Sequence, residues 1–227
     1  MYTLVIGNRN YSSWSLRAWL ALKHSGAAFE VVRVPLFTDE WITQIQRYSP
    51  AGRVPVLIDG DLHIWDSSAI IEHLREKAPG AVGWPEDPAR RALARSVSGE
   101  MHSGFIAIRD ELPQNLRART TLDPATLSAS CRDQIARIDA IWSQCYEQYD
   151  GPWLFGEFCI ADIMYLPVAL RFVTYGIQVS DGARRFVDAV LACSTTVEWI
   201  QGAREESEAL DFIDNLTPAT DSPLTLG

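Results

Sequence analysis

Between Pro79 and Pro88 the chain changes character. The segment Pro-Gly-Ala-Val-Gly-Trp-Pro-Glu-Asp-Pro carries three prolines and two glycines, residues that end helices and strands alike. Before it, short valine- and isoleucine-rich runs alternate with helical spacing; after it only helical spacing remains. That order restricts the chain to an α/β unit followed by an all-α one. Tyr2 to Ile6 and Phe29 to Arg33 read as strands. A helix over Ser13 to Ser25, ended by Gly26, joins them, so they should be parallel neighbours through a right-handed crossover. Asp39 is expected to cap a short helix through Trp41, Ile42, Ile45 and Tyr48. Arg53 to Ile58 predicts a third strand, turned at Asp59-Gly60 into Leu62 to Ile64. A helix over Ser68 to Lys77 closes a β-α-β-α-β-β-α series, giving a first domain at 1–78 and a linker at 79–88.

From residue 89 to 227 the patterns predict helices only. One runs from Asp87 or Pro88 to about Leu112. Another starts at Asp123-Pro124 and carries Leu127, Cys131, Ile135, Ile138, Ile141, Trp142, Cys145 and Tyr149 at three- and four-residue steps. Ile160 to Tyr175 is nearly all apolar and reads as the buried central helix, with Pro167 expected to kink it. Asp181 to Cys193 and Thr196 to Glu206 follow. Leu216 to Gly227 is polar and aperiodic, and an irregular tail is expected from 217.

Charge and cysteine usage narrow the function. The formal charge of −9 argues against nucleic acid as a partner. No apolar run approaches the roughly 20 residues that span a bilayer, and Met1 to Gly7 lacks the basic start of a signal peptide. Cys131, Cys145, Cys159 and Cys193 form no C-x-x-C and read as reduced thiols, so the expectation is a cytoplasmic protein. His24, His63, His73 and His102 show no paired ligand spacing, and no metal is expected.

The stretch with chemical content lies at residues 8–23. Ser12, Ser13 and Ser15 stand where a loop turns into a helix. A serine there caps the helix, since its oxygen accepts from an orphan N–H. The same place favours an anion, through the helix dipole and the free N–H groups. Ser12-Ser13-Trp14-Ser15-Leu16-Arg17 resembles the SSCSWR element of zeta-class glutathione transferases. Arg53-Val54-Pro55 resembles that family's V-P step, in which the proline is cis; Asp66-Ser67 its Glu/Gln-Ser pair; and Ile160-Ala161-Asp162 its capping-box helix start. In this order, over roughly residues 2 to 210, the motifs are similar to soluble glutathione S-transferases, nearest to zeta-like, serine-type bacterial members.

The resemblance implies a thioredoxin-like α/β N-terminal domain, an all-α C-terminal domain, glutathione as co-substrate and a homodimer. It implies that Ser12, or Ser13 beside it, holds glutathione's sulfur as thiolate. Trp14, Arg53, Val54, Pro55, Asp66 and Ser67 would bind the tripeptide. Lowering a thiol pKa by two units takes about 2.7 kcal/mol, which one charge-assisted hydrogen bond and a helix N-terminus supply together. Tyr11, Met101, His102, Phe105, Arg109 and Arg171 are candidates for the acceptor pocket. Two departures stand out: Trp14 replaces the zeta cysteine, and Thr174 stands where zeta enzymes carry an arginine for acidic substrates, with Arg171 one turn earlier. The expected activity is transfer of glutathione to a small, largely apolar electrophile. The alternatives are cis–trans isomerisation of the maleylacetoacetate type and a non-catalytic glutathione-binding module.

Overall fold

A computed structural model describes residues 1–216; the tail expected at 217–227 lies outside the described residues. The chain divides into two units. The first is Met1–Val82 together with Glu198–Leu210, and the second Gly83–Val197 with residues 211–216. The division in the chain falls inside the proline-rich segment. The inclusion of Glu198–Leu210 in the first unit departs from the expected domain plan, which gave everything after residue 88 to the helical domain.

In the first unit, strands β1 (Tyr2–Ile6), β2 (Phe29–Arg33), β3 (Val56–Asp59) and β4 (Leu62–Trp65) form one sheet in the order β2-β1-β3-β4. β1 and β2 are parallel in the register Leu4↔Val31, as the helical link between them requires; β3 and β4 run antiparallel. The link is helix α1 (Ser13–Ser25), ended by Gly26 at φ 68°, a left-handed value that glycine adopts without penalty. Helices α2 (Trp41–Ile45) and α3 (Ser67–Lys77) complete the β-α-β-α-β-β-α order. Ile45 of α2 packs with Val5, Val34 and Val56 in one buried cluster. Side chains alternate along a strand, so Leu4 and Ile6, both fully buried, belong to the face where α1 and α3 lie against the sheet.

Three local expectations shift. β3 begins at Val56 instead of Arg53, because Pro55 has no N–H for a ladder. The hairpin loop is Gly60-Asp61, one residue later than expected, with Asp59 still paired to Leu62. Asp39 does not cap α2: Glu40 holds that position without a side-chain cap, its carboxylate accepting instead from the Gln44 side chain at 2.6 Å.

The second unit is helical. α4 (Pro88–Ser103) is capped by Asp87, which accepts from the Arg90 N–H at 2.7 Å. The single helix expected up to Leu112 is broken: Gly104 is extended and Phe105 takes φ 56° before α5 (Ile106–Glu111) begins. Asp123 caps only a 3-10 turn at Pro124–Thr126, and α6 (Ala129–Gln148) starts later under Ser128. α7 (Ile160–Tyr175) is buried at every residue, with Pro167 inside it. Trp142 of α6 packs against Tyr165 and Phe172 of α7 and against Phe186 of α8 (Asp181–Ala192). α9 (Ser194–Arg204), which belongs to the first unit from Glu198 on, and a short α10 (Asp211–Asp214), which the sequence pattern did not indicate, complete the described chain. Among the described residues no helix is long and apolar enough to cross a membrane.

Candidate functional site

In the first unit the β1–α1 loop, the turn before β3 and the start of α3 carry the residues singled out by sequence. The loop closes on itself: the Tyr11 and Ser12 N–H groups both donate to the Asn8 carbonyl, at 3.2 and 2.9 Å. Asn8 Oδ1 accepts from the Leu36 N–H at 2.8 Å. Ser12 is the N-cap of α1, its Oγ accepting from the Ser15 N–H at 3.2 Å and donating to Ser15 Oγ at 2.7 Å. Ser15 Oγ also accepts from the Gly7 N–H, so this serine ties β1 to α1 from inside the helix. Ser13 is the first helical residue. Ser12 and Ser13 are each 5% exposed.

A groove of about 490 Å³ is lined by Trp14, Ala51, Arg53, Val54, Pro55, Trp65, Asp66 and Ser67. All six expected tripeptide-binding residues are therefore in one place, joined by Ala51 and Trp65, which carry no motif. Ser12 and Ser13 are not among the lining residues; they stand beside Trp14 at the head of α1. The Val54–Pro55 bond is cis. Asp66 has φ 74° and caps α3: its Oδ1 accepts from the Ser68 N–H and hydroxyl at 2.8 and 2.7 Å, and from the Ala69 N–H at 3.4 Å. Ser67, at the helix start, is fully buried, yet its hydroxyl has no hydrogen-bond partner among the described residues. A buried hydroxyl left so is uncommon in a folded protein and calls for a physical reason. Arg17 lies over the Trp14 ring at 4.8 Å and is 1% exposed, which fixes one wall of the groove.

The donors are an exposed Arg53 cation, the Ser67 hydroxyl and the N-terminus of α3, and the acceptor is the Asp66 carboxylate, spread along one groove. It can take a small zwitterionic peptide with a carboxylate at each end. Burial pushes the Cys131 thiol pKa up to about 11 and Cys145 up to about 12, and holds Cys159 higher still.

The acceptor-pocket candidates divide between the units. In the first, Tyr11 is buried and its Oη accepts from the Leu210 N–H at 3.2 Å. In the second, Met101 and Phe105 are buried, at 1% and 6% exposure. Arg109 serves the broken helix: Nη2 donates to the Met101 and His102 carbonyls and Nε to that of Gly104, satisfying the end of α4. Arg171 is 6% exposed and donates from Nε to the Leu112 carbonyl at 2.9 Å, with burial and Arg109 lowering its pKa to about 10. Thr174 donates to the Asn115 carbonyl. The two arginines thus work inside the helical unit. Asp162, as expected, carries the start of α7: it accepts from the Cys159 N–H at 2.8 Å and the Leu154 N–H at 3.0 Å.

Sequence reasoning missed Glu206. Its carboxylate accepts from the Arg9 N–H at 2.7 Å and the Asn10 N–H at 3.1 Å. No local pattern marks it, because its partners lie at the other end of the chain.

Residues 11–77 match the model of the glutathione S-transferase N-terminal domain. Over 98 residues the chain is 38% identical to a probable maleylacetoacetate isomerase of Caenorhabditis elegans, covering 43% of this chain and 44% of that protein. Over 156 residues it is 30% identical to glutathione S-transferase F14 of Arabidopsis thaliana, covering 66% and 61%. The chain spans about half the length of the curated relatives it matches. A crystal structure of a glutathione transferase homolog from Burkholderia GL BGR1, with bound glutathione, superposes with a TM-score of 0.67 at 25% identity, over 90% of this chain and 99% of that one. The architecture is the thioredoxin-like domain and helical region of that fold.

Proposed function

We propose that this chain, whose residues 11–77 match the model of the glutathione S-transferase N-terminal domain, binds glutathione in the groove of its first unit and transfers it to a small electrophile. The observation that carries this reading is the unpartnered, buried Ser67 hydroxyl in a groove that also holds Asp66, Val54, Pro55 and Arg53. The γ-glutamyl carboxylate takes the Ser67 hydroxyl and the α3 N-terminus, and the amine takes Asp66. The cysteinyl backbone runs along Val54, and the glycyl carboxylate meets Arg53. This places the sulfur toward the head of α1. There the thiol gives its proton to solvent, and a serine hydroxyl with the helix N-terminus holds the anion. The thiolate attacks an electrophilic carbon, forming the C–S bond while the leaving group departs with its electron pair.

Titration calorimetry tests the groove. Ser67→Ala should weaken glutathione binding by roughly 10- to 100-fold, the worth of a hydrogen bond to a charged group. An unchanged Kd in that variant refutes the assignment. Binding with no thiolate absorbance near neutral pH points instead to a non-catalytic module.

Isomerisation is the second reading, supported by relatives named as maleylacetoacetate isomerases. The same thiolate adds to a double bond, the bond rotates, and elimination returns glutathione. Trp14 in place of the zeta cysteine, and the use of Arg171 inside the helical unit, weigh against it. A panel of electrophiles and unsaturated diacids separates the two: transfer consumes glutathione and isomerisation does not. The reading includes a homodimer in the cytoplasm, and light scattering gives the mass that checks the dimer.

A further inference from the structure

Two successive amides of the β1–α1 loop donate to one side chain, 197 and 196 residues further along the chain. The Arg9 N–H meets Glu206 Oε1 at 2.7 Å and the Asn10 N–H meets Oε2 at 3.1 Å. The Glu206 side chain is 7% exposed. The same segment, Glu198–Leu210, supplies two more contacts. Trp199 Nε1 donates to the Arg9 carbonyl at 3.1 Å, and the Leu210 N–H donates to Tyr11 Oη at 3.2 Å. Arg9, Asn10 and Tyr11 are thus each held from one segment, and they are the three residues directly before Ser12.

A carboxylate buried to this degree costs free energy unless donors match it. Here the donors are two loop amides, with Arg33 Nη1 at 3.9 Å from Oε1. A carboxylate on two N–H groups makes charge-assisted, directional bonds, stronger than those a neutral group would give. The grip therefore sets the peptide planes of Arg9 and Asn10. The chain then turns through the Asn8 carbonyl, which takes the Ser12 N–H at 2.9 Å, into the cap of α1. Hydrogen bonds weaken steeply with distance and angle. A loop displaced by about 1 Å would cost thiolate stabilisation while leaving the binding groove itself intact.

We propose that Glu206 is a positioning residue: its carboxylate fixes the β1–α1 loop so that the serines at the head of α1 meet glutathione's sulfur. The proposal rests on the glutathione reading above. Glu206 touches no substrate and acts through the Arg9 and Asn10 amides. Those amides and Arg33 compensate its negative charge, so it aids the thiolate by geometry.

The test is Glu206→Gln, which keeps the shape but sets an NH2 group against one of the two N–H donors. The apparent pKa of bound glutathione's thiol, read from its ultraviolet thiolate band, should rise by about one unit, and kcat should fall about tenfold. The KM for glutathione should stay within about twofold, because the groove is untouched. Glu208→Gln, which breaks the 2.6 Å pair with Arg33 on the same segment, should leave the thiol pKa and kcat unchanged. A lower melting temperature in Glu206→Gln with unaltered thiol pKa and kcat overturns the proposal, since a mere strut would behave so. Should Glu206→Gln not fold, Glu206→Asp, which keeps the charge and shortens the reach, is read by the same two measures. If the unaltered protein does not ionise glutathione, the function reading falls, and amide exchange decides the clamp alone. Faster exchange at Arg9 and Asn10 in the variant upholds it, and unchanged exchange overturns it.

Discussion

Ser12 has two duties that a single substitution removes together. It caps α1 through the Ser15 N–H, and its hydroxyl proton rests on Ser15 Oγ at 2.7 Å. Turning that proton to a sulfur anion exchanges a neutral hydrogen bond for a charge-assisted one, while Ser15 keeps the Gly7 N–H. Ser12→Ala should therefore cost about 1 kcal/mol of stability as a lost cap, measured by urea unfolding, and also cut turnover with glutathione binding nearly intact. Ser13→Ala, at the first helical residue instead of the N-cap, should cost less stability than Ser12→Ala in the same unfolding measurement. If Ser13→Ala abolishes the thiolate and Ser12→Ala does not, Ser13 is the activating residue. The six groove residues were legible because motif and position coincide: a V-P step before a strand and a D-S pair before a helix place side chains by local geometry alone. Trp65 and Ala51 line the same groove without any motif, and only folding shows them.

Elements were legible where periodicity and punctuation agree. β1, α1, β2 and α7 fall on their predicted bounds because glycine, proline or a serine cap stands at their ends. The break between α4 and α5 was not read, because its one signal, Gly104, stands inside an otherwise helical run from Ala92 to Leu112, and Phe105 after it adopts φ 56°. That conformation is uncommon for a bulky side chain, and it is held in place by tertiary contacts, with Arg109 serving the carbonyls the break exposes. At the start of α7, Asp162 does the work that Cys159 cannot. Burial raises its carboxyl from 3.8 to about 7, the Leu154 and Cys159 N–H donors pulling the other way. The folded state thus holds this proton more tightly than the unfolded chain. The contribution is present below about pH 4 and is lost as pH rises through about 7. Asp162→Asn should flatten that part of the stability profile in denaturant titrations across pH. It should also cost about 1–3 kcal/mol, because its amide group faces a backbone N–H that then lacks an acceptor.

At the scale of the molecule, the first unit closes only with Glu198–Leu210. Trp199 is fully buried there, 5.2 Å from the Trp19 ring, and Lys23 pairs with Glu198 at 2.9 Å. Trp199→Ala should cost about 3–5 kcal/mol, as for other buried aromatics cut to alanine. Amide exchange should show the opening in β1 and α1, although the substitution lies far along the chain. Sequence reading placed the division at the proline-rich segment and could not see this return, because contacts between distant residues leave no local period.

A unit assembled from both ends of a polypeptide cannot be transplanted with one cut. A chimera joined at Val82 would carry the β1–α1 loop into its new host without the clasp that holds it. On the ribosome the same loop is made 197 residues before the carboxylate that grips it, so it stays ungripped until Glu206 has been added.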